Sequence, residues 1–239
     1  MVSKIIPIIA LIGLTSFLVL KTMHYPAKTE IIDNFLETNL PTYKVSISNL
    51  DSSTLIFKGE NIKAALVFYP GANVDYNSYK PLMAAIASKG IMCVLYKMPL
   101  DIPIFNIFSG WGIQDKFPEI ETWYIGGHSL GGFASSIYLY FSKDKFDGLI
   151  LFASYTLLDF SKTDLKVISI LGSEDKIINM ENYNKYKKNY PEDFTEIKIE
   201  GGCHSYFGMY GLMKNDGTPT ISNIEQIEFT SNEIAKLVE

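Results

Sequence analysis

Five short apolar-rich runs set the architecture of this chain: Ala64 to Tyr69, Ile91 to Tyr96, Trp123 to Gly126, Gly148 to Ala153 and Val167 to Leu171. Each is too short for a helix, and a strand that is apolar on both sides belongs in the middle of a covered parallel sheet. Segments with helical spacing alternate with them. Tyr79 to Lys89 ends at Gly90, a natural C-cap, and Gly132 to Phe141 and Met180 to Tyr190 follow. Ser222-Asn223-Ile224-Glu225 forms a capping box that opens a last helix. Such alternation predicts an α/β fold, a mostly parallel sheet with helices on both faces. In that architecture a ligand site lies outside the carboxyl ends of the strands.

Two further segments complete the expected sheet. Thr42 to Ser48 alternates polar and apolar, and Thr54 to Lys58 follows a polar turn, so together they predict an antiparallel edge hairpin. Phe194 to Glu200 alternates in the same way. The 239 residues suit one such domain, expected over 25–239, behind a separate segment at 1–24.

Gly127-His128-Ser129-Leu130-Gly131 sits between an apolar strand and an apolar-faced helix. A G-x-S-x-G pentapeptide in that setting predicts a nucleophile elbow. The serine must occupy a tight, strained turn, and glycines on either side let strand and helix approach. Ser129 is therefore the candidate nucleophile. His128, its immediate neighbour, is expected to point away and support the turn.

A serine hydroxyl needs a base, and the base needs an orienting carboxylate. In this chain order the base follows the serine, and His204 is the one histidine after Ser129. It follows the strand at Phe194 to Glu200 in a loop with Gly201, Gly202 and Gly208. Asp175, just past the Val167 to Leu171 strand, is the candidate acid, with Glu174, Asp159 and Asp164 as rivals. Acyl transfer also needs backbone N–H donors for the oxyanion. Leu130 is expected to supply one. Ala72 is expected to supply the other from the Pro70-Gly71-Ala72-Asn73 loop, with Gly71 and Asn73 as alternatives.

Charge removes several other classes. A formal net charge of −5 offers no basic face for nucleic acid. All 21 basic residues are lysine, so no bidentate arginine clamp can hold a phosphate or carboxylate. Two cysteines and three histidines lack metal-ligand spacing, so neither a metal nor a cofactor is expected.

Ile5 to Leu20 is uncharged and lies between Lys4 and Lys21. It is short for a spanning helix, which needs about 20 residues. No small-residue cleavage pattern follows it, which favours an uncleaved anchor over a signal peptide. The expectation is a single-pass membrane protein with its catalytic domain outside the cytoplasm, or a secreted one if the segment is removed.

Four motifs occur in order: Phe68-Tyr69-Pro70-Gly71, Tyr96-Lys97-Met98-Pro99-Leu100, Gly126 to Gly132, and Gly201-Gly202-Cys203-His204-Ser205-Tyr206-Phe207-Gly208. They resemble the bacterial membrane-anchored α/β hydrolases grouped with dienelactone hydrolase-like (carboxymethylenebutenolidase-like) proteins. The resemblance implies the α/β-hydrolase fold and a triad of Ser129, Asp175 and His204. Dienelactone hydrolases proper use a cysteine nucleophile, whereas this chain has Ser129. The family's histidine motif usually carries Asn before the His, where this chain has Cys203.

Many relatives insert a helical lid, but only Ser154 to Lys166 separates two strands here, so no large cap is expected. The apolar stretch Pro99 to Trp111 is a candidate pocket wall, a packed loop or a membrane contact. Asn73, Ile104, Phe105 and Tyr206 are the candidate substrate contacts. The expected activity is that of a carboxylesterase-like enzyme cleaving a small-molecule ester or thioester. An acyltransferase and a non-catalytic binding module on the same fold are the alternatives.

Overall fold

The computed structural model describes residues 24–238. Their elements are α1 (Thr29–Tyr43), β1 (Ser46–Asp51), β2 (Thr54–Lys58), β3 (Ala64–Tyr69), α2 (Lys80–Ala87), β4 (Ile91–Tyr96), β5 (Trp123–His128), α3 (Leu130–Phe141), β6 (Gly148–Phe152), β7 (Lys166–Gly172), α4 (Met180–Tyr186), β8 (Phe194–Ile199) and α5 (Asn223–Val238). The strands form one eight-stranded sheet in the order β1-β2-β4-β3-β5-β6-β7-β8. β1 and β2 make an antiparallel hairpin, β2 joins β4 antiparallel, and every later pairing is parallel.

The alternation of side chains along a strand divides the core in two. From β3, Leu66 and Phe68 join Leu82, Ile86, Ile150 and Ile227 on the face that α1, α2 and α5 cover. Ala65, Val67 and Tyr69 meet Ala134, Tyr138 and Leu149 on the face that α3 covers. This double burial is why the central strands read as continuous apolar runs. The expected fold class holds, and the link from β6 to β7 carries no inserted domain.

The edge differs from expectation at one point. Thr42 and Tyr43 end α1 rather than begin a strand, and β1 starts at Ser46. Pro41 lies in the last turn of α1, and Lys44 stops the helix in a left-handed conformation. Ile32, Phe35, Leu36 and Leu40 share a helical face packed on the core, and that tertiary burial carries the helix past the proline. The capping box at the start of α5 forms as expected: Ser222 N–H donates to Glu225 Oε2 and Glu225 N–H to Ser222 Oγ.

Among the described residues no helix is long and apolar enough to cross a membrane. The expected anchor, Ile5 to Leu20, lies outside them.

Candidate active site

β5 runs directly into α3 with one residue between them, Ser129, at φ 53° and ψ −122°. A serine held there is strained, and strain of this kind persists only where surroundings over-determine it. They do so here. Ser129 N–H donates to the Phe152 carbonyl at 2.9 Å, and Ser154 Oγ donates to the Ser129 carbonyl at 2.6 Å. Gly131 and Gly127 must be glycine, because a Cβ on Gly131 would lie 2.2 Å from the Tyr69 carbonyl oxygen and one on Gly127 2.4 Å from it. That approach presses the start of α3 onto the Pro70–Asn73 loop.

β7 and β8 position the other two groups. Asp175 follows β7 and His204 follows β8, and their side chains are both about 1% exposed. Asp175 Oδ2 lies 2.8 Å from His204 Nδ1. Asp175 Oδ1 accepts the N–H groups of Ile177 and Ile178, which locks the carboxylate. The rivals are elsewhere: Glu174 bonds the hydroxyl of Ser173, while Asp159 and Asp164 are exposed. His204 Nε2 is buried without a hydrogen-bond partner among the described residues. It lies on a cavity of about 360 Å³ that Ser129 also lines. Ser129 and His204 make no hydrogen bond in this structure.

The cavity wall is mostly apolar, with Leu130, Phe133, Leu157, Ile177 and Ile178, and Ser154, Tyr155 and Asn179 are polar members beside Ser129 and His204. Asn73, Ile104, Phe105 and Tyr206 are not among the lining residues. The wall comes from the loops after β6 and β7 and from α3, rather than from the stretch after β4. A concavity of similar volume beside Tyr43, Glu60 and Lys89 is polar and is lined by none of Ser129, Asp175 and His204.

The oxyanion candidates separate by what their N–H groups already do. Gly71 donates to Tyr79 Oη at 3.0 Å, and Asn73 donates to the Asp101 carbonyl at 2.8 Å. Gly71 therefore cannot serve as expected, since its amide points at a buried phenol. The N–H groups of Ala72 and Leu130 have no partner among the described residues.

His128 was expected to support the turn, but sequence reading missed the other groups that hold these loops. Tyr79 Oη lies 2.9 Å from His128 Nδ1, and His128 Nε2 lies 3.0 Å from the His204 carbonyl. His128 is fully buried, and burial, reinforced by the nearby His204, holds its imidazole well below the usual histidine range. Gln226 of α5 clamps the backbone of Cys203, accepting its N–H and donating to its carbonyl, each at 2.9 Å. Asp216 accepts the N–H and hydroxyl of Ser205 and the N–H of Lys176, tying the histidine loop to the aspartate loop. Burial raises the Asp216 carboxyl, yet the Ser205 and backbone bonds outweigh it and leave it below its ordinary range. Nothing local marks Tyr79 among 15 tyrosines or Gln226 within a helix. Cys93 and Cys203 are free and buried, and burial pushes the Cys203 thiol up to about 12 and that of Cys93 well above its usual value.

A family model described as "Alpha/beta hydrolase family" matches residues 65–228. No curated protein matches the chain. Solved structures share the fold at low identity. TT1662 from Thermus thermophilus superposes with a TM-score of 0.58 at 13% identity, over 82% of this chain and 98% of its own. Est1E from Butyrivibrio proteoclasticus gives 0.56 at 13%, over 81% and 98%. A predicted CIB-like hydrolase from Thermoplasma acidophilum gives 0.52 at 16%, over 80% and 98%.

Proposed function

Because the chain belongs to the alpha/beta hydrolase family, we propose that it is a serine hydrolase cleaving an uncharged ester or thioester through an acyl-enzyme on Ser129. One observation carries this reading. His204 has one ring nitrogen bonded to a buried carboxylate and the other buried and unpartnered on the cavity that Ser129 lines. That is the arrangement of a base awaiting a proton.

In this mechanism Ser129 Oγ attacks the acyl carbon as His204 Nε2 takes its proton. Asp175 holds Nδ1–H and stabilises the imidazolium. The N–H groups of Ala72 and Leu130 receive the oxyanion, where fixed donors contribute most to the rate. His204 then protonates the leaving group, and water repeats the sequence on the acyl-enzyme. No metal or cofactor takes part.

The apolar wall favours a short or medium acyl chain. No lysine, aspartate or glutamate lines the cavity, and the chain holds no arginine. A carboxylate-bearing dienelactone would find no cation there, so the resemblance to dienelactone hydrolase-like proteins does not extend to that substrate. Residues 1–24 are read as a single-pass anchor, on the uncharged run from Ile5 to Leu20.

The test is turnover of p-nitrophenyl esters from acetate to palmitate by the full chain, beside Ser129→Ala, with fluorophosphonate labelling. The expected result is activity and labelling that both vanish in the variant. A folded wild type that neither turns over an ester nor takes the label overturns the proposal.

A further inference from the structure

The described chain begins beside the site. Tyr25 N–H donates to the Asn73 carbonyl at 2.7 Å, and His24 Nδ1 lies 3.5 Å from Asp101 Oδ2. Asn73 is in turn bonded to Asp101, so the entry point, the loop after β3 and the stretch after β4 form one corner. Only residues 21–23 separate this corner from the uncharged run that ends at Leu20. Four residue steps span at most about 14 Å. The interfacial layer beyond the hydrocarbon is itself roughly 5–7 Å deep. If residues 5–20 are buried in a bilayer, this corner therefore cannot stand off from it.

The surface that starts at this corner is apolar. Leu100 is 62% exposed, Phe105 58% and Trp111 71%. Ile104 and Phe108 are also exposed, and Phe108 packs edge-on against Trp111 and meets Phe141 at the end of α3. The strip thus runs from beside the Pro70–Asn73 loop down the flank of α3. Contiguous exposed apolar surface of this kind marks an interaction site. Aromatic side chains in it suit the bilayer interface, where tryptophan is enriched.

We propose that this strip, Leu100 to Trp111 with Phe141, lies in the interface of the membrane that holds the N-terminal segment. The proposal rests on the anchor reading of residues 5–20 and not on the hydrolase reading.

The chain supplies its own probe, having two tryptophans: Trp111, largely exposed, and Trp123, 3% exposed in the core. The full chain is reconstituted in phosphatidylcholine nanodiscs at one copy per disc, with acyl chains brominated close to the headgroup. The expected result is loss of the Trp111 emission while that of Trp123 persists. The loss disappears in Trp111→Phe and weakens in the Ile104→Glu, Phe105→Glu double variant. Unquenched emission from disc-bound chain overturns the proposal, as does failure to bind discs. Quenching or a blue shift that needs two copies per disc assigns the strip to a second copy and also overturns it. Absence of esterase activity alters none of these readings.

Discussion

The hydroxyl of Tyr79 has one consistent orientation. The His204 carbonyl can only accept, so His128 carries its proton on Nε2 and must accept at Nδ1. Tyr79 therefore donates to His128 and accepts from Gly71. A single row of bonds joins the loop that offers Ala72 to the loop that offers His204. Tyr79→Phe keeps the ring against Phe68 and breaks only this row. Misplacement of reacting groups by about 1 Å can cost up to roughly 100-fold. The expected outcome is a fall in kcat of about 10- to 100-fold with KM little changed, read on the best p-nitrophenyl ester. Asp175→Asn should keep the fold and lower kcat by roughly 10⁴-fold, because the wrong tautomer of His204 is then held. His128 adds a pH signature. Its imidazole stays neutral in the folded chain but protonates below about pH 6.5 when unfolded. Its contribution to stability is thus complete above pH 6.5 and is lost as pH falls below it, with a slope approaching 1.4 kcal/mol per pH unit, about one tenfold step. Carboxylates held low, Asp216 among them, act only near and below about pH 4. Denaturant midpoints between pH 7 and 5 should show the slope in wild type and a flatter line in His128→Gln.

At the scale of elements, the elbow depends on space more than on propensity. A methyl group on Gly131 meets the carbonyl oxygens of Tyr69 and Pro70, each at 2.2 Å, and neither can swing aside. Gly131→Ala should cost at least about 3 kcal/mol, the upper range for overpacking, and shift the urea midpoint accordingly. The strands β3 to β7 were legible in the sequence because both their faces are buried, so composition alone marks them. The strained turn at Ser129 was legible through its turn chemistry, and the pairing of Asp175 with His204 through chain order and their places after β7 and β8. α1 was missed because Pro41 reads as a boundary, while the Ile32, Phe35, Leu36 and Leu40 face gains its meaning only from the core it meets. The cavity wall was misplaced to the stretch after β4 for a related reason. Apolar residues in a loop do not announce whether they face a pocket, the core or the outside, and Ile104 and Phe105 face out.

Across the whole molecule, distant parts of the chain converge on the site. Tyr25 braces the loop after β3, and Gln226 holds the backbone before His204. α5 thus serves the His204 loop as well as the core, where Ile227 and Ile234 are buried. Gln226→Leu leaves both backbone groups of Cys203 unpaired in a buried setting, where each costs about 1–3 kcal/mol. The expected result is a lower melting temperature together with a lower kcat at temperatures where the variant is still folded. These long-range braces could not be read from sequence, because separations of 23 to 49 residues carry no periodic signal.

The two cysteines bear on how the protein meets oxidants and electrophiles. Both sulfurs are enclosed, and neither has the thiolate character that disulfide exchange or sulfenic acid formation requires. Cys203 adjoins His204, yet iodoacetamide and mild peroxide should leave turnover unchanged. Neither cysteine is placed to act as a thiol switch, so the activity proposed for Ser129 should be the same in reducing and oxidising surroundings.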